Sequence, residues 1–258
     1  MTHPSTLRPH EVPFYDGHAE QWWSPHGPFR HLHLMNPVRL SYVKKVLEQH
    51  GLTHASQNDT PPHEKRDQHA PLAGLVGLDV GCGGGIATEP LARMGACMTG
   101  IDTSALGIAA AKAHGAAQSL DITYTENTIE AYALDHDAPR SFDFITAFEV
   151  LEHVQEYAIF FKAVRTLLKP GGIIIFSTIN RTARSYCGAI LMGEYILRLL
   201  PKGTHEWQHF LKPSEVAQHM RTAGITYQDV MGMTPTLKGA WRPTSSMPIN
   251  YIGYGIAG

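Results

Sequence analysis

Leu75-Val76-Gly77-Leu78-Asp79-Val80-Gly81-Cys82-Gly83-Gly84-Gly85 is the stretch that decides the fold. Its first six residues form a short apolar run and read as a strand buried on both faces, since a half-exposed strand would alternate with period two. The glycines that follow let the backbone turn sharply and approach a ligand in conformations a Cβ would forbid. Helical spacing from Ile86 to Met94 follows at once, so the turn joins a strand to a helix N-terminus, a place where such ligands are held. A dinucleotide would call for G-x-G-x-x-G, yet the sixth position is Ile86 counted from Gly81 and Thr88 counted from Gly83, so that fingerprint fails in both frames. What remains is Asp79 two positions before a G-x-G-x-G turn, with Asp102 at the end of the next apolar run. A carboxylate at that point can accept both hydroxyls of a ribose. The pattern predicts a nucleoside-bearing cofactor.

Outward from this turn, strands and helices alternate. Strands are expected at Cys97–Ile101, Ile122–Thr125, Phe142–Phe148 and Ile173–Ser177, and helices at Ser104–His114, capped by Ser104, and at Val154–Leu168, ended by Pro170-Gly171-Gly172. Alternation of this kind predicts an α/β fold of Rossmann-like type: a mainly parallel sheet with helices on both faces, ligands at the carboxyl ends of the strands, and an N-terminal helical extension. In that extension, residues 1–52, a helix is expected from Pro37, which is suited to a first helical turn. Residues 53–73, polar and carrying Pro61-Pro62, have too little apolar surface to offset the cost of ordering and read as a mobile insertion. Residues 74–258 form the main domain.

Composition narrows the function classes. Hydrophobic residues make up 43% of the 258 and charged residues only 17%, below the roughly 25% usual for soluble domains. The net charge of −2 argues against a surface built to coat nucleic acid. Cys82, Cys97 and Cys187 are too few and too scattered for a disulfide framework or a four-cysteine zinc site. Met1 is followed by no secretory signal, and no run of 18 apolar residues spans a membrane. Of the 16 histidines, ten lie at or before His69, so most of the excess belongs to the N-terminal portion and insertion.

Asp79 to Gly85, Asp102 and Lys169-Pro170-Gly171-Gly172 resemble the class I methyltransferases that use S-adenosylmethionine. Five further segments narrow the likeness: Trp22-Trp23, Leu34-Met35-Asn36-Pro37-Val38-Arg39-Leu40, Glu149-Val150-Leu151-Glu152-His153-Val154, Ser177-Thr178-Ile179-Asn180-Arg181, and Gly193 to Arg198 running into Pro201-Lys202-Gly203-Thr204-His205. Together they resemble the ubiquinone biosynthesis O-methyltransferases from about Trp22 onward. The resemblance implies methylation of polyprenylated catechols and hydroxyphenols, at both O-methylation steps of that pathway. It also implies Arg39 near the carboxylate of the cofactor's methionine moiety, Gly81 against its backbone, Asp102 on its ribose, and Phe148 at a fourth position where the family can have Met. Asp79 and Gly83 complete the expected cofactor set.

Phenolic oxygen attacks a sulfonium methyl best when placed in line with the S–CH3 bond and deprotonated. Glu149, Glu152 and His153 fall at i, i+3 and i+4, and a helical turn would put all three on one face. Such a set suits a divalent cation, which a catechol could complete; the resemblance implies a metal there, and magnesium is the expected ion. In the alternative, His153 serves as general base or lines the pocket. Glu149 and His153 are the expected catalytic residues.

Between Arg181 and Lys202 an apolar run from Tyr186 to Leu197 is flanked by Arg181, Arg184, Arg198 and Lys202. Basic residues around an apolar segment suit a membrane interface, while a lid over the active site accounts for residues 181–205 as well. With a greasy acceptor, the expectation is a bacterial cytoplasmic enzyme peripherally attached to the inner membrane, with a ubiquinone-biosynthesis complex as partner. Two other readings stay open: methylation of another small aromatic acceptor, and a non-catalytic membrane-associated assembly component.

Overall fold

A computed structural model describes residues 16–53, 70–135, 140–185, 207–236 and 239–258. Among these residues eight strands run in chain order: β1 Val76–Val80, β2 Cys97–Asp102, β3 Ile122–Glu126, β4 Phe142–Phe148, β5 Leu168–Ile179, β6 Ile225–Pro235, β7 Trp241–Thr244 and β8 Asn250–Ala257. The principal helices are α1 Arg30–Gln49, α2 Thr88–Arg93, α3 Ala105–Ala117, α4 Ile129–Asp135, α5 Tyr157–Leu167 and α6 Pro213–Thr222. All strands join one sheet in the order β3-β2-β1-β4-β5-β8-β6-β7. The pairings from β3 through β5 are parallel, and those involving β8, β6 and β7 are antiparallel.

Apolar residues on successive positions of these strands explain why both faces are covered. Successive residues of a strand point to opposite sides, and here Ile145, Ala147, Ile174 and Phe176 enter one core with Phe160, Phe161 and Val164 of α5 and Met220 of α6. Their neighbours Phe144, Ile173 and Ile175 enter a second core with Tyr42, Val43, Val46 and Leu47 of α1. The α/β expectation therefore stands, with an antiparallel C-terminal edge added.

Several boundaries move. Helix α1 starts at Arg30 and carries Pro37 inside it. An interior proline costs a helix about 3 kcal/mol through its missing N–H and ring clash; burial of Met35, Tyr42, Val43, Val46 and Leu47 along one face opposes that cost. Pro170-Gly171-Gly172 does not end a helix. Helix α5 stops at Leu167, and the chain enters β5 directly. Pairing then jumps from Phe142↔Leu168 to Phe144↔Ile173, so the Lys169–Gly172 stretch bulges out of register, with Gly171 at φ +75°. Most of the expected insertion lies outside the described residues. Its ends belong to the packed domain: Thr53 and Leu72 are buried, and the Leu72 amide donates to Met94 O at 2.8 Å.

Candidate active site

The carboxyl ends of β2, β1 and β4 lie side by side, and the Gly-rich turn leaves the middle one. Gly81, Gly83 and Gly85 have φ of +67°, +50° and +86°, a left-handed region glycine enters without steric cost. The amides of Gly81 and Cys82 both donate to Ile101 O, at 2.8 and 3.1 Å, tying the turn to the end of β2. Asp102 holds the same turn from the side: Oδ2 accepts the Gly83 amide and Oδ1 the Ser104 amide, each at 2.8 Å. Burial raises the Asp102 carboxyl, while these amides pull the other way. Ser104 caps α3 as expected, its Oγ accepting the Gly107 amide at 2.8 Å.

Asp79 works from beneath the turn. It is buried, and its two oxygens accept the hydroxyls of Thr88 at 2.6 Å and Thr146 at 2.7 Å. Burial pushes its pKa up to about 6, against the lowering effect of the two hydroxyls. It joins β1, α2 and β4 and thereby fixes the turn.

The close approach that Gly83 and Gly84 permit is made by the chain itself. A Cβ on either glycine would stand 2.4 Å from the Trp22 side chain. Trp22 stacks on Phe29 with ring centroids 3.8 Å apart, and Trp23 donates its indole N–H to Gly84 O at 2.9 Å. The segment preceding α1 thus packs over the turn.

Arg39 reaches the site from α1. It is only 3% exposed, although an arginine on a helix is ordinarily solvated. Nη2 lies 2.9 Å from Glu149 Oε1 and 3.6 Å from Met35 Sδ, and the guanidinium sits 5.3 Å from the centre of the Phe148 ring. Nε is a buried donor with no hydrogen-bond partner. A buried cation with an unmet donor fits an incoming carboxylate.

Glu149 departs from the expected helical turn. It has φ +53°, uncommon for a residue with a side chain, and only Leu151–His153 form a 3-10 turn after it. The three residues Glu149, Glu152 and His153 therefore do not share one helical face. Glu149 Oε1 also accepts Ser177 Oγ at 2.7 Å, and Oε2 accepts Asn250 Nδ2 at 2.9 Å. Glu152 is buried and accepts the Thr178 hydroxyl at 2.6 Å. Burial and then the Glu149 charge raise its pKa, while His153 lowers it. His153 is half-buried, its amide closing the turn on Val150 O at 2.9 Å. Among the described residues, no three His, Cys, Asp or Glu side chains assemble as a metal-binding group.

Ser177, Thr178 and Asn250 were not among the expected site residues. Ser177 and Thr178 could have been found, since parallel β5 ends beside β4; Asn250 carries no local signal. Arg181, expected at a membrane face, is paired with Glu215 of α6. Trp207 donates its indole N–H to Thr182 O at 3.1 Å. The apolar run and Arg198 and Lys202 lie outside the described residues.

Residues 61–230 match a methyltransferase domain family. A "Ubiquinone biosynthesis O-methyltransferase" of Azorhizobium caulinodans is 40% identical over 98% of this chain and 94% of its own length. This chain belongs to the ubiquinone biosynthesis O-methyltransferase family. A relative of the same name from Paramagnetospirillum magneticum is 38% identical over 100% of this chain and 98% of its own. The magnesium protoporphyrin IX methyltransferase of Synechocystis PCC 6803, solved with bound S-adenosylmethionine, has a TM-score of 0.59 at 15% identity, over 98% of this chain and 100% of that one. That likeness places the fold among the class I methyltransferases. As a member of the ubiquinone biosynthesis O-methyltransferase family, the chain is an S-adenosylmethionine-dependent O-methyltransferase.

Proposed function

We propose that the chain methylates polyprenylated catechol and hydroxyphenol intermediates of ubiquinone biosynthesis, at both O-methylation steps. The carrying observation is the line formed by Asp102, Gly81 and Arg39 with Phe148 across three neighbouring strand ends. A carboxylate stands at one end of it and a buried guanidinium with an unmet donor at the other. Asp102 suits the ribose and Arg39 the amino-acid carboxylate of S-adenosylmethionine, which supplies an electrophilic methyl when bound. Gly81 lies between them. Phe148 packs its ring against Arg39 and fixes where the charge sits.

His153 is the proton acceptor for the attacking hydroxyl, because an imidazole can act as a general base and the neighbouring carboxylates carry hydrogen bonds from Ser177, Thr178 and Asn250. Glu149 orients the hydroxyl. The divalent cation expected on Glu149, Glu152 and His153 does not fit this arrangement, since the Arg39 guanidinium already lies 2.9 Å from Glu149 Oε1 and no three such ligands assemble among the described residues. Chelation separates the readings: a rate that survives EDTA leaves deprotonation with His153, while one abolished by EDTA and restored by magnesium puts a cation on the three side chains after they rearrange.

A polyprenyl acceptor stays in a bilayer, so the reading places the enzyme at the inner membrane surface, within reach of other enzymes of the pathway. No helix among the described residues is long and apolar enough to cross a membrane. Liposome flotation with and without residues 183–200 tests the attachment. Mass spectrometry of quinone precursors in cells lacking the protein tests the reaction. Accumulation of an unmethylated catechol or hydroxyphenol supports it, and an unchanged precursor profile refutes it.

A further inference from the structure

Arg39 faces a conflict between two anions. A guanidinium grips a carboxylate through one of two edges, Nε with Nη2 or Nη1 with Nη2, and Nη2 belongs to both. Here Nη2 is already turned to Glu149 Oε1 at 2.9 Å and to Met35 Sδ at 3.6 Å, while Nε has no partner. A second carboxylate that pairs with the unpartnered Nε takes the Nη2 hydrogen on that edge, and it then stands opposite Glu149 across one guanidinium. Any second anion also competes for a single buried charge, and buried charges are costly to leave unmatched. Glu149 can give up its share. Ser177 Oγ at 2.7 Å and Asn250 Nδ2 at 2.9 Å still hold it when Arg39 turns away, and at 17% its side chain is more exposed than that of Arg39 at 3%.

We propose that loading of the methyl donor transfers Arg39 from Glu149 to the donor's carboxylate, freeing Glu149 to accept the acceptor's hydroxyl only when the donor is in place. The proposal rests on the reading of Arg39 as the carboxylate-binding residue. It links the two substrates through one guanidinium, and linkage makes the effect reciprocal. With Glu149 closed on Arg39, the site is a poor receptor for the phenol.

Titration calorimetry on the full chain tests this with S-adenosylhomocysteine and with 5′-methylthioadenosine, which keeps the adenosine and thioether but has no carboxylate. Glu149→Gln removes the competing anion. It is expected to tighten S-adenosylhomocysteine by about fivefold or more and to leave 5′-methylthioadenosine unchanged. Unchanged or weaker S-adenosylhomocysteine binding by a cooperatively melting Glu149→Gln protein overturns the exchange.

The unaltered enzyme gives an independent reading that does not depend on the variant folding. A short-chain prenyl catechol should bind about fivefold or more tightly to the S-adenosylhomocysteine-loaded protein than to the 5′-methylthioadenosine-loaded one, and equal affinities overturn the proposal. Arg39→Ala should abolish the preference for S-adenosylhomocysteine over 5′-methylthioadenosine. A preference that survives Arg39→Ala refutes the role given to Arg39. Its loss, combined with no effect of Glu149→Gln, refutes the exchange alone.

Discussion

Trp22 lies so close above Gly83 that a Cβ there would stand 2.4 Å from the indole. The same glycine has φ +50°, so Gly83→Ala adds a left-handed backbone penalty to the clash, together at least about 2 kcal/mol. The expected outcome is a lower melting temperature and S-adenosylhomocysteine affinity weakened tenfold or more, because both the turn and the segment packed on it shift. Calorimetry and thermal melting check this; an alanine variant with unchanged affinity would show that the packing is irrelevant to the cofactor.

Asp79 makes stability depend on pH. Its pKa is raised by burial to about 6, while an aspartate in the unfolded chain titrates near 3.9. The folded state then binds more protons than the unfolded state between those values. The contribution is fully present below about pH 4 and lost as pH rises toward about 6, on the order of 3 kcal/mol in all. Asp79→Asn keeps a neutral group whose Thr88 and Thr146 partners can rotate to donate or accept. Denaturant melts at a series of pH values should show the variant gaining on the wild type from about pH 4 to 6, then holding level. A constant difference across that range contradicts the assignment.

His153→Gln should lower kcat for a short-chain catechol by about a hundredfold or more, in the range of general-base removal, with the KM for S-adenosylmethionine little changed. Equal losses in kcat and in cofactor affinity would instead assign His153 a structural part in holding the turn after β4.

Asn250→Ala withdraws the only hydrogen bond described to Glu149 Oε2. Loss of one hydrogen bond to a charged group costs about 1.5–3 kcal/mol, so kcat should fall at least about tenfold. Asn250→Gln, with the same amide displaced by one methylene, should not restore it. Steady-state kinetics at saturating cofactor make the comparison.

Much of the parallel half of the fold was legible. The mainly apolar runs of β1, β4 and β5, with no period-two alternation, state that both faces are covered, and the Gly81–Gly85 turn with Asp102 states where the ligand goes. Helix boundaries failed where tertiary contacts outweighed local preference, as with Pro37 inside α1. The C-terminal strands were not identified, because no helices separate them and β6 and β8 carry mixed runs such as Tyr251-Ile252-Gly253-Tyr254. In the site, Arg39 and Asp102 were expected because motifs mark them. The helical spacing of Glu149, Glu152 and His153 misled, since a single left-handed residue at Glu149 breaks the periodicity that spacing assumes. Asn250 lies 101 positions from Glu149 in the chain, and only sheet pairing brings it there.

Strand β8 pairs with β5 on one side and β6 on the other. Until Asn250–Ala257 is in place, β6 and β7 have no sheet edge to join, and Glu149 lacks its Asn250 donor. The sheet is therefore closed between β5 and β6 by a strand that follows both of them in chain order. A nascent chain can build β1 through β5 early and must hold an open edge at β5 until Asn250–Ala257 has emerged.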